Sequence, residues 1–354
     1  MSGTHLEART DFFDRHRKAI IATATALCTI TISAFVLIAA YPLRGTVAEA
    51  PVETVVPEEP QPRVLPLDGP WVVAIQPGHW KIDELPDEHA HRRANFGASF
   101  RGVREIDVNL AVTDALVLLL QSEGWNVQVI PATVPPGLRA DAFLSIHADW
   151  GADPNRSGFK LAPPWRPSPA AGDLARALAD SFRSAGVRED LGGITVGMRG
   201  YFGFASHRFR HASSPYTPAT LVELGFLTND SERTRMANEP EFYASIIHRG
   251  LVSYFSDRVR TETESLIPRD FPMLVASPHG AAVHRVANPA SAVIRQLQPG
   301  ETIRPVDEHD GWYEVRIRTP ALTGWVRSDE VVPFGTARPP LTAPPPSATS
   351  DGRG

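Results

Sequence analysis

The stretch from Trp71 to His79, with the sequence WVVAIQPGH, constrains the fold more than any other part of the chain. Its first five residues are apolar, which is typical of a strand buried on both faces, as in a parallel sheet. Pro77 and Gly78 end the strand, because these residues interrupt regular structure. Open α/β sheets bind ligands at the carboxyl edge of their strands. The sequence therefore predicts an α/β fold with His79 at a ligand-binding edge.

Strands and helices alternate after this stretch. The patterns predict strands over residues 126–130, 142–146 and 219–224, and helices over residues 105–124, 168–184 and 240–255. Alternation of this kind predicts a three-layer α/β domain with a mostly parallel sheet, which we place at residues 71–257. The segment 131–141 is short for a crossover that contains a helix.

Three further polar residues are expected at the edge that carries His79. Glu105 begins the first predicted helix, His147 follows the strand AFLSI, and Glu223 lies in the strand ATLVEL. Two imidazoles and one carboxylate are a common ligand set for catalytic zinc, and they leave a fourth position for water. We therefore predict that His79, Glu105 and His147 bind zinc and that Glu223 takes a proton from the water.

Each of these residues alone has an ordinary structural explanation. His79 and His147 could end their strands without binding a metal, and Glu105 could be a first-turn glutamate favoured by the helix dipole. Glu223 is harder to explain in this way, because buried unpaired glutamates are rare and costly without a nearby cation. The prediction of a zinc site depends on the combination.

Four short segments, taken in order, resemble a known enzyme family. They are PGH at 77–79, REIDVNLAV at 104–112, SIHAD at 145–149 and LVELGFLTN at 221–229. Together they resemble the zinc-dependent N-acetylmuramoyl-L-alanine amidases of bacterial cell walls over roughly residues 71–257.

The resemblance implies that His79, Glu105 and His147 are the zinc ligands and that Glu223 is catalytic. It implies hydrolysis of the peptidoglycan amide between the lactyl group of N-acetylmuramic acid and L-alanine. The sequence departs from the family at Gln76, where aspartate is usual, and in the longer loop after His79. A zinc peptidase of related fold and a non-catalytic wall-binding protein remain alternatives.

Residues 272–334 show a different pattern, with short strands separated by turns such as Asn288-Pro289 and Asp310-Gly311. This spacing predicts a small β-barrel. The sequence GWYEV at 311–315, with GWV at 324–326, resembles bacterial SH3-like domains, which implies binding to cell-wall peptides. Both tryptophans could instead be core residues. Residues 335–354, rich in Pro, Ser and Thr, are expected to be a disordered tail.

Residues 19–41 form an uncharged run of 23 residues, long enough for a helix that crosses a bilayer. Basic residues precede the run, so the positive-inside rule predicts a cytoplasmic tail over residues 1–18. We expect a membrane anchor, a proline-rich linker over residues 42–70, and both folded domains outside the cytoplasm. A cleaved signal peptide is the alternative, although its apolar core is normally shorter.

Composition limits the remaining possibilities. The 354 residues are enough for two folded units, and 42% of them are hydrophobic. The net charge of −5 and the lack of a long basic run argue against nucleic acid as a partner. Cys28 is the only cysteine, so the chain cannot form an intrachain disulfide.

Overall fold

The computed structural model describes residues 69–190, 192–260, 263–317 and 322–334. The predicted anchor at 19–41, its flanking tail and linker, and the C-terminal tail lie outside these residues. Within the described ranges, no helix has both the length and the apolar character needed to cross a membrane.

The α/β part is built on a central five-stranded sheet. Its strands are β1 (Val72–Pro77), β4 (Asn126–Val129), β5 (Ala142–Asp149), β6 (Lys160–Ala162) and β7 (Ala219–Phe226), and β2 (Ser99–Phe100) pairs with β3 (Val103–Arg104) in a separate hairpin. The order across the sheet is β4-β1-β5-β7-β6, with the first four strands parallel and β6 antiparallel. The predicted α/β class and the mostly parallel sheet are confirmed.

Long helices cover one face of this sheet. The helices of the α/β part are α1 (Glu105–Ser122), α2 (Pro169–Ser184), α3 (Val196–Arg199), α4 (Asp230–Asn238) and α5 (Pro240–Ser256). Helices α1, α2 and α5 pack over β1, β5 and β7 and bury apolar side chains such as Leu116, Leu178 and Ile247. Ser168 begins α2 as predicted, because its hydroxyl accepts a hydrogen bond from the Ala171 amide.

The opposite face is covered differently from the expected third layer. Residues 130–140 and 194–204 pack there, and among the described residues of these segments the only α-helix is the four-residue α3. Ala74 and Phe143 point to this face, whereas their neighbours Val73 and Leu144 point to the long helices. The third layer is therefore mostly irregular, which agrees with the short segment predicted between β4 and β5.

The C-terminal part is all β. Its strands are β8 (Leu274–Ala276), β9 (Ala281–His284), β10 (Val293–Leu297), β11 (Thr302–His309), β12 (Trp312–Ile317), β13 (Leu322–Arg327) and β14 (Val331–Pro333). They form one sheet in the order β10-β9-β13-β12-β11-β8-β14. Trp312 and Trp325 are both buried, which agrees with the alternative that both tryptophans are core residues.

Two ion pairs join the C-terminal sheet to the α/β part. Arg176 on α2 pairs with Asp307 on β11. Arg199 at the end of α3 is buried and donates to Glu314 on β12 at 3.1 Å. Each pair compensates a buried charge, so removing one partner alone would leave the other charge buried and unpaired, which is costly.

Candidate metal centre

The structure brings three of the predicted residues together. His79 Nε2 lies 3.2 Å from Glu105 Oε1, and His147 Nδ1 lies 2.9 Å from the same oxygen. One ligand atom from each residue lies within 4.8 Å of the other two. Within the described ranges, these residues form the only group of three or more His, Cys, Asp or Glu side chains with such spacing.

The end of β1 places the two imidazoles side by side. His79 has a φ of 66°, a left-handed conformation that costs a non-glycine residue about 1–3 kcal/mol and is frequent at functional sites. At Gly78, an added Cβ would lie 2.4 Å from the His147 ring. Glycine therefore lets the chain pass this close, and the two ring centroids lie 5.1 Å apart.

The loop after His79 fixes the orientation of its ring. His79 Nδ1 lies 2.7 Å from the Asn95 carbonyl oxygen, which can only accept a hydrogen bond. Nδ1 therefore carries the hydrogen, which leaves the lone pair of Nε2 in the neutral ring available for a metal ion. Histidines that bind a metal through one ring nitrogen commonly donate a hydrogen bond from the other. The Asn95 carbonyl therefore brings this loop to the site.

His147 is oriented by a chain of buried hydrogen bonds. Its Nε2 lies 3.1 Å from Ser145 Oγ, and this hydroxyl donates to Gln76 Oε1 at 2.9 Å. Gln76 Oε1 also accepts from the Tyr201 hydroxyl at 2.6 Å, while Gln76 Nε2 donates to the carbonyl of Pro131. Gln76, a departure from the family pattern, thus holds the residue that contacts His147.

Replacing Ser145 with alanine is expected to weaken zinc binding by about 10- to 100-fold, the usual loss when an outer partner of a ligating histidine is removed. The variant loses the hydroxyl between His147 and Gln76 but keeps all three ligands. Titration with a competing chelator would measure the affinity. Ser181→Ala is a matched control, because that hydroxyl donates to the Ile246 carbonyl away from the site. Equal zinc affinity in Ser145→Ala and the wild type would contradict this role.

Glu105 is held as a carboxylate at the start of α1. Its Oε2 accepts from the Ala98 amide at 2.7 Å. Burial favours its neutral form, but the hydrogen bonds and charges of His147 and His79 outweigh burial and hold the pKa of Glu105 well below its usual range. A permanent carboxylate between two imidazole nitrogens is a donor set that suits zinc. The residues present therefore fit a zinc ion.

Glu223 lies beside this group. In the strand registers it stands opposite His147 on β5 and opposite Lys160 on β6. The residue is half-buried, and in the described part of the chain its buried Oε2 has no hydrogen-bond partner. Burial raises the pKa of Glu223 to about 8, against the opposing charge of Lys160. A carboxyl group that titrates near neutral pH suits proton transfer.

The shifted pKa of Glu223 predicts how the stability of the metal-free protein depends on pH. The folded-state pKa of about 8 exceeds the ordinary value of 4.5, so the folded state binds more protons between these values. The free energy of unfolding should therefore fall as pH rises from about 4.5 to about 8. In Glu223→Gln this part of the fall should be absent, which urea unfolding at several pH values would measure. The pKa of His79 is also raised, and its contribution to the pH dependence of stability is present in both the wild type and Glu223→Gln. Parallel curves for the two would contradict the assignment.

Several residues at the site were not predicted from the sequence. Ser145 had a usable signal, because residues two apart in a strand point to the same face and His147 follows it by two. Lys160 supplies the cation that Glu223 was expected to need, and its ammonium group contacts Asp149. Tyr201 had no such signal, because it lies in an irregular segment far from the other residues in sequence.

Comparison with known proteins gives two family matches. The family model described as N-acetylmuramoyl-L-alanine amidase matches residues 73–251. The model described as bacterial SH3 domain matches residues 279–332. A search of curated proteins gave no match.

Similar solved structures include three amidases. The N-acetylmuramoyl-L-alanine amidase from Clostridium difficile 630 has 21% identity and a TM-score of 0.40, covering 54% of this chain and 100% of that one. For the amidase AmiC2 of Nostoc punctiforme the identity is 20% and the TM-score 0.37, with coverages of 53% and 99%. For the apo amidase from Mycobacterium abscessus the identity is 21% and the TM-score 0.40, with coverages of 52% and 98%.

Proposed function

Because the chain belongs to the N-acetylmuramoyl-L-alanine amidase family, we propose that it hydrolyses the amide between N-acetylmuramic acid and L-alanine in peptidoglycan. The reaction uses zinc, held by His79, Glu105 and His147, and Glu223 transfers the proton. The observation that carries this proposal is the convergence of three ligand atoms within 4.8 Å, with Glu223 opposite His147 in the neighbouring strand.

The ligands have distinct roles in this proposal. Zinc, when bound, lowers the pKa of a water to about 7 and polarises a carbonyl group. Nε2 of His79 and Nδ1 of His147 present lone pairs to the ion, because their other ring nitrogens are directed to Asn95 and Ser145. Glu105 contributes the negative charge, which partly neutralises the cation.

Glu223 moves the proton. As a carboxylate it accepts a proton from the attacking water, and as a carboxylic acid it donates that proton to the leaving nitrogen of L-alanine. Its raised pKa allows both states near neutral pH. Lys160 on the adjacent strand favours the carboxylate, so the group does not remain permanently protonated.

The proposal also covers where the enzyme is held in the cell. The sheet matched by the bacterial SH3 model is proposed to bind the cell wall. Residues 19–41 are proposed to anchor the chain in the membrane, with both folded parts on the outer side. Fractionation of cells, followed by protease treatment of intact and opened membranes, tests this arrangement. Recovery of the uncleaved chain in the soluble cytoplasmic fraction would contradict it.

Digestion of purified peptidoglycan tests the proposed reaction. The full chain with zinc is expected to release L-alanyl amino ends, measured by amino-terminal labelling and mass spectrometry of the products. A chelator should abolish the release, and added zinc should restore it. New amino ends at other residues would indicate a zinc peptidase instead. Absence of any new ends, with the wall still bound, would indicate a non-catalytic wall-binding protein.

A further inference from the structure

His89 is completely buried, although it belongs to the loop that follows His79. Residues 80–98, which we call the His89 loop, contain two short 3₁₀-helices, Ile82–Glu84 and Asp87–Arg92. Both ring nitrogens of His89 are buried, and within the described part of the chain neither has a hydrogen-bond partner. Burying a polar group without such a partner is costly, so this position is unfavourable for a residue with a packing role alone.

The pocket around the His89 ring is aromatic. The ring centroid lies 4.6 Å from that of Phe202 and 4.5 Å from that of Phe209, and both phenylalanines belong to the segment between α3 and β7. His89 thus attaches its loop to the body of the α/β part. Arg92 lies 5.4 Å from the Phe202 ring, and Arg208 lies 5.2 Å from the Phe209 ring. A neutral imidazole suits this pocket, whereas an imidazolium would lose its hydration and be repelled by both arginines.

The other charged groups near His89 give it little compensation. Glu88 Oε1 lies 3.6 Å from His89 Nε2, but the same oxygen accepts from the amide and the ring of His211 at 2.7 and 2.6 Å. Burial is the main cause that lowers the pKa of His89, and the charge of Glu88 opposes it. Nearby Arg92, His91 and His211 lower it as well. His89 is therefore held in its neutral form.

The second attachment of the His89 loop resists acid. Glu88 Oε2 accepts from the Arg210 amide at 3.0 Å, and Oε1 accepts from His211. Burial opposes ionisation of Glu88, but these hydrogen bonds hold its pKa at about 2. A proton on His211 would strengthen its contact with this carboxylate. Of the two attachments, only the one through His89 is weakened by a proton.

The His89 loop also contacts two of the proposed zinc ligands. The Asn95 carbonyl accepts from His79 Nδ1, and another amide of the loop donates to Glu105 Oε2 at 2.7 Å. The Asn95 amide donates to the Arg92 carbonyl at 2.9 Å, so the contact with His79 continues directly from the 3₁₀-helix that carries His89. Displacement of His89 from its pocket would therefore disturb the orientation of His79.

We propose that neutral His89 holds the His89 loop in place and so positions the zinc ligand His79, and that protonation of His89 at acidic pH releases the loop. An exposed imidazole is half-protonated at a pH of about 6.5. The open loop therefore binds more protons than the closed loop below this pH, and the free energy of opening falls as the pH falls. The effect on zinc rests on the proposed function, whereas the opening of the loop does not.

Hydrogen exchange of the metal-free full chain, followed by mass spectrometry from pH 7 to pH 5, tests the opening. Protection of the His89 loop, corrected for the intrinsic exchange rate at each pH, should fall about fivefold or more in the wild type, because uptake of one proton favours opening by up to about tenfold per pH unit. His89→Leu fills the pocket with a side chain that cannot take up a proton, so its protection should change by less than about twofold. His91→Leu, at an exposed histidine of the same 3₁₀-helix, should behave as the wild type does.

Zinc affinity, measured with a competing chelator at pH 7.5 and pH 5.5, tests the positioning of His79. Protons compete with zinc for the ligands in every variant, so the informative quantity is the ratio of the wild-type dissociation constant to that of His89→Leu. This ratio should be close to one at pH 7.5 and should rise about threefold or more at pH 5.5. His89→Met is a second apolar variant if His89→Leu does not fold, because its flexible side chain adapts to the pocket.

An equal fall of protection in the wild type and in a folded His89→Leu or His89→Met protein would overturn the proposal. A ratio of zinc affinities that stays constant with pH would overturn it as well. Neither measurement requires turnover. A chain that releases no L-alanyl ends but shows opening that depends on His89 would refute the proposed reaction and leave the role of His89 intact. Normal release of these ends, without such opening, would refute the role of His89 alone.

Discussion

Replacement of Glu223 by glutamine is expected to lower the turnover of peptidoglycan by about 10²- to 10⁴-fold, the usual contribution of a general acid–base group. The amide cannot accept the proton of the attacking water or deliver it to the leaving nitrogen. The side-chain size is nearly unchanged, and Oε2 of Glu223 has no hydrogen-bond partner in the described structure to lose. Zinc should remain bound at about one equivalent, since the ligands are intact.

Release of L-alanyl ends and metal analysis of the same preparation would measure both effects. Glu232→Gln is a matched control: Glu232 is also half-buried, but it accepts from the amides of Phe226 and Gly158 and is not part of the proposed ligand group. This control should retain near-normal turnover. If Glu223→Gln worked at the wild-type rate, another group would have to move the proton, and the role of Glu223 would be rejected.

The elements with strong local patterns could be predicted from the sequence. The apolar run before Pro77 became β1, and the C-terminal part contains the series of short strands that its turn pattern predicted. Short elements without such a pattern, β6, β8 and β14, were not predicted, because strands of three residues contain too little alternation to detect.

Strand ends were less predictable than strand positions. The strand with His147 was expected to end before it, but β5 continues to Asp149 because its neighbour β7 pairs with it there. This pairing places His147 opposite Glu223, a relation that depends on the tertiary arrangement and has no local sequence signal. The hydrogen bond between Tyr201 and Gln76 could not be predicted for the same reason, since 125 residues separate them.

The identity of the four candidate residues could be predicted from the sequence, whereas their proximity depends on the fold. Sequence pattern indicated which residue types could carry the chemistry. The parallel strand order explains why His79, His147 and Glu223 meet, because the carboxyl ends of β1, β5 and β7 lie at one edge, and the start of α1 adds Glu105. The outer contacts of the ligands depend on side-chain directions in irregular segments. Asn95 is an example, because its backbone carbonyl rather than its side chain holds His79.

Replacement of His79 by asparagine is expected to weaken zinc binding by more than about 100-fold, because one of the three ligands is removed. Loss of an outer contact alone weakens metal binding by up to about 100-fold. Asparagine tolerates the positive φ at this position better than alanine does, so loss of metal can be separated from backbone strain. Hydrolysis should fall to the background rate without added zinc.

Thermal unfolding provides a readout of zinc binding that does not depend on activity. A ligand that binds only the folded state raises its stability by RT ln(1 + [L]/Kd), so zinc should raise the Tm of the wild type and have little effect on His79→Asn at the same concentration. His248→Asn is the matched control, because His248 pairs with Glu123 at the surface of α5. It should respond to zinc as the wild type does. An equal rise in Tm in His79→Asn would mean that the stabilising ion binds elsewhere, and the three-ligand centre would have to be abandoned.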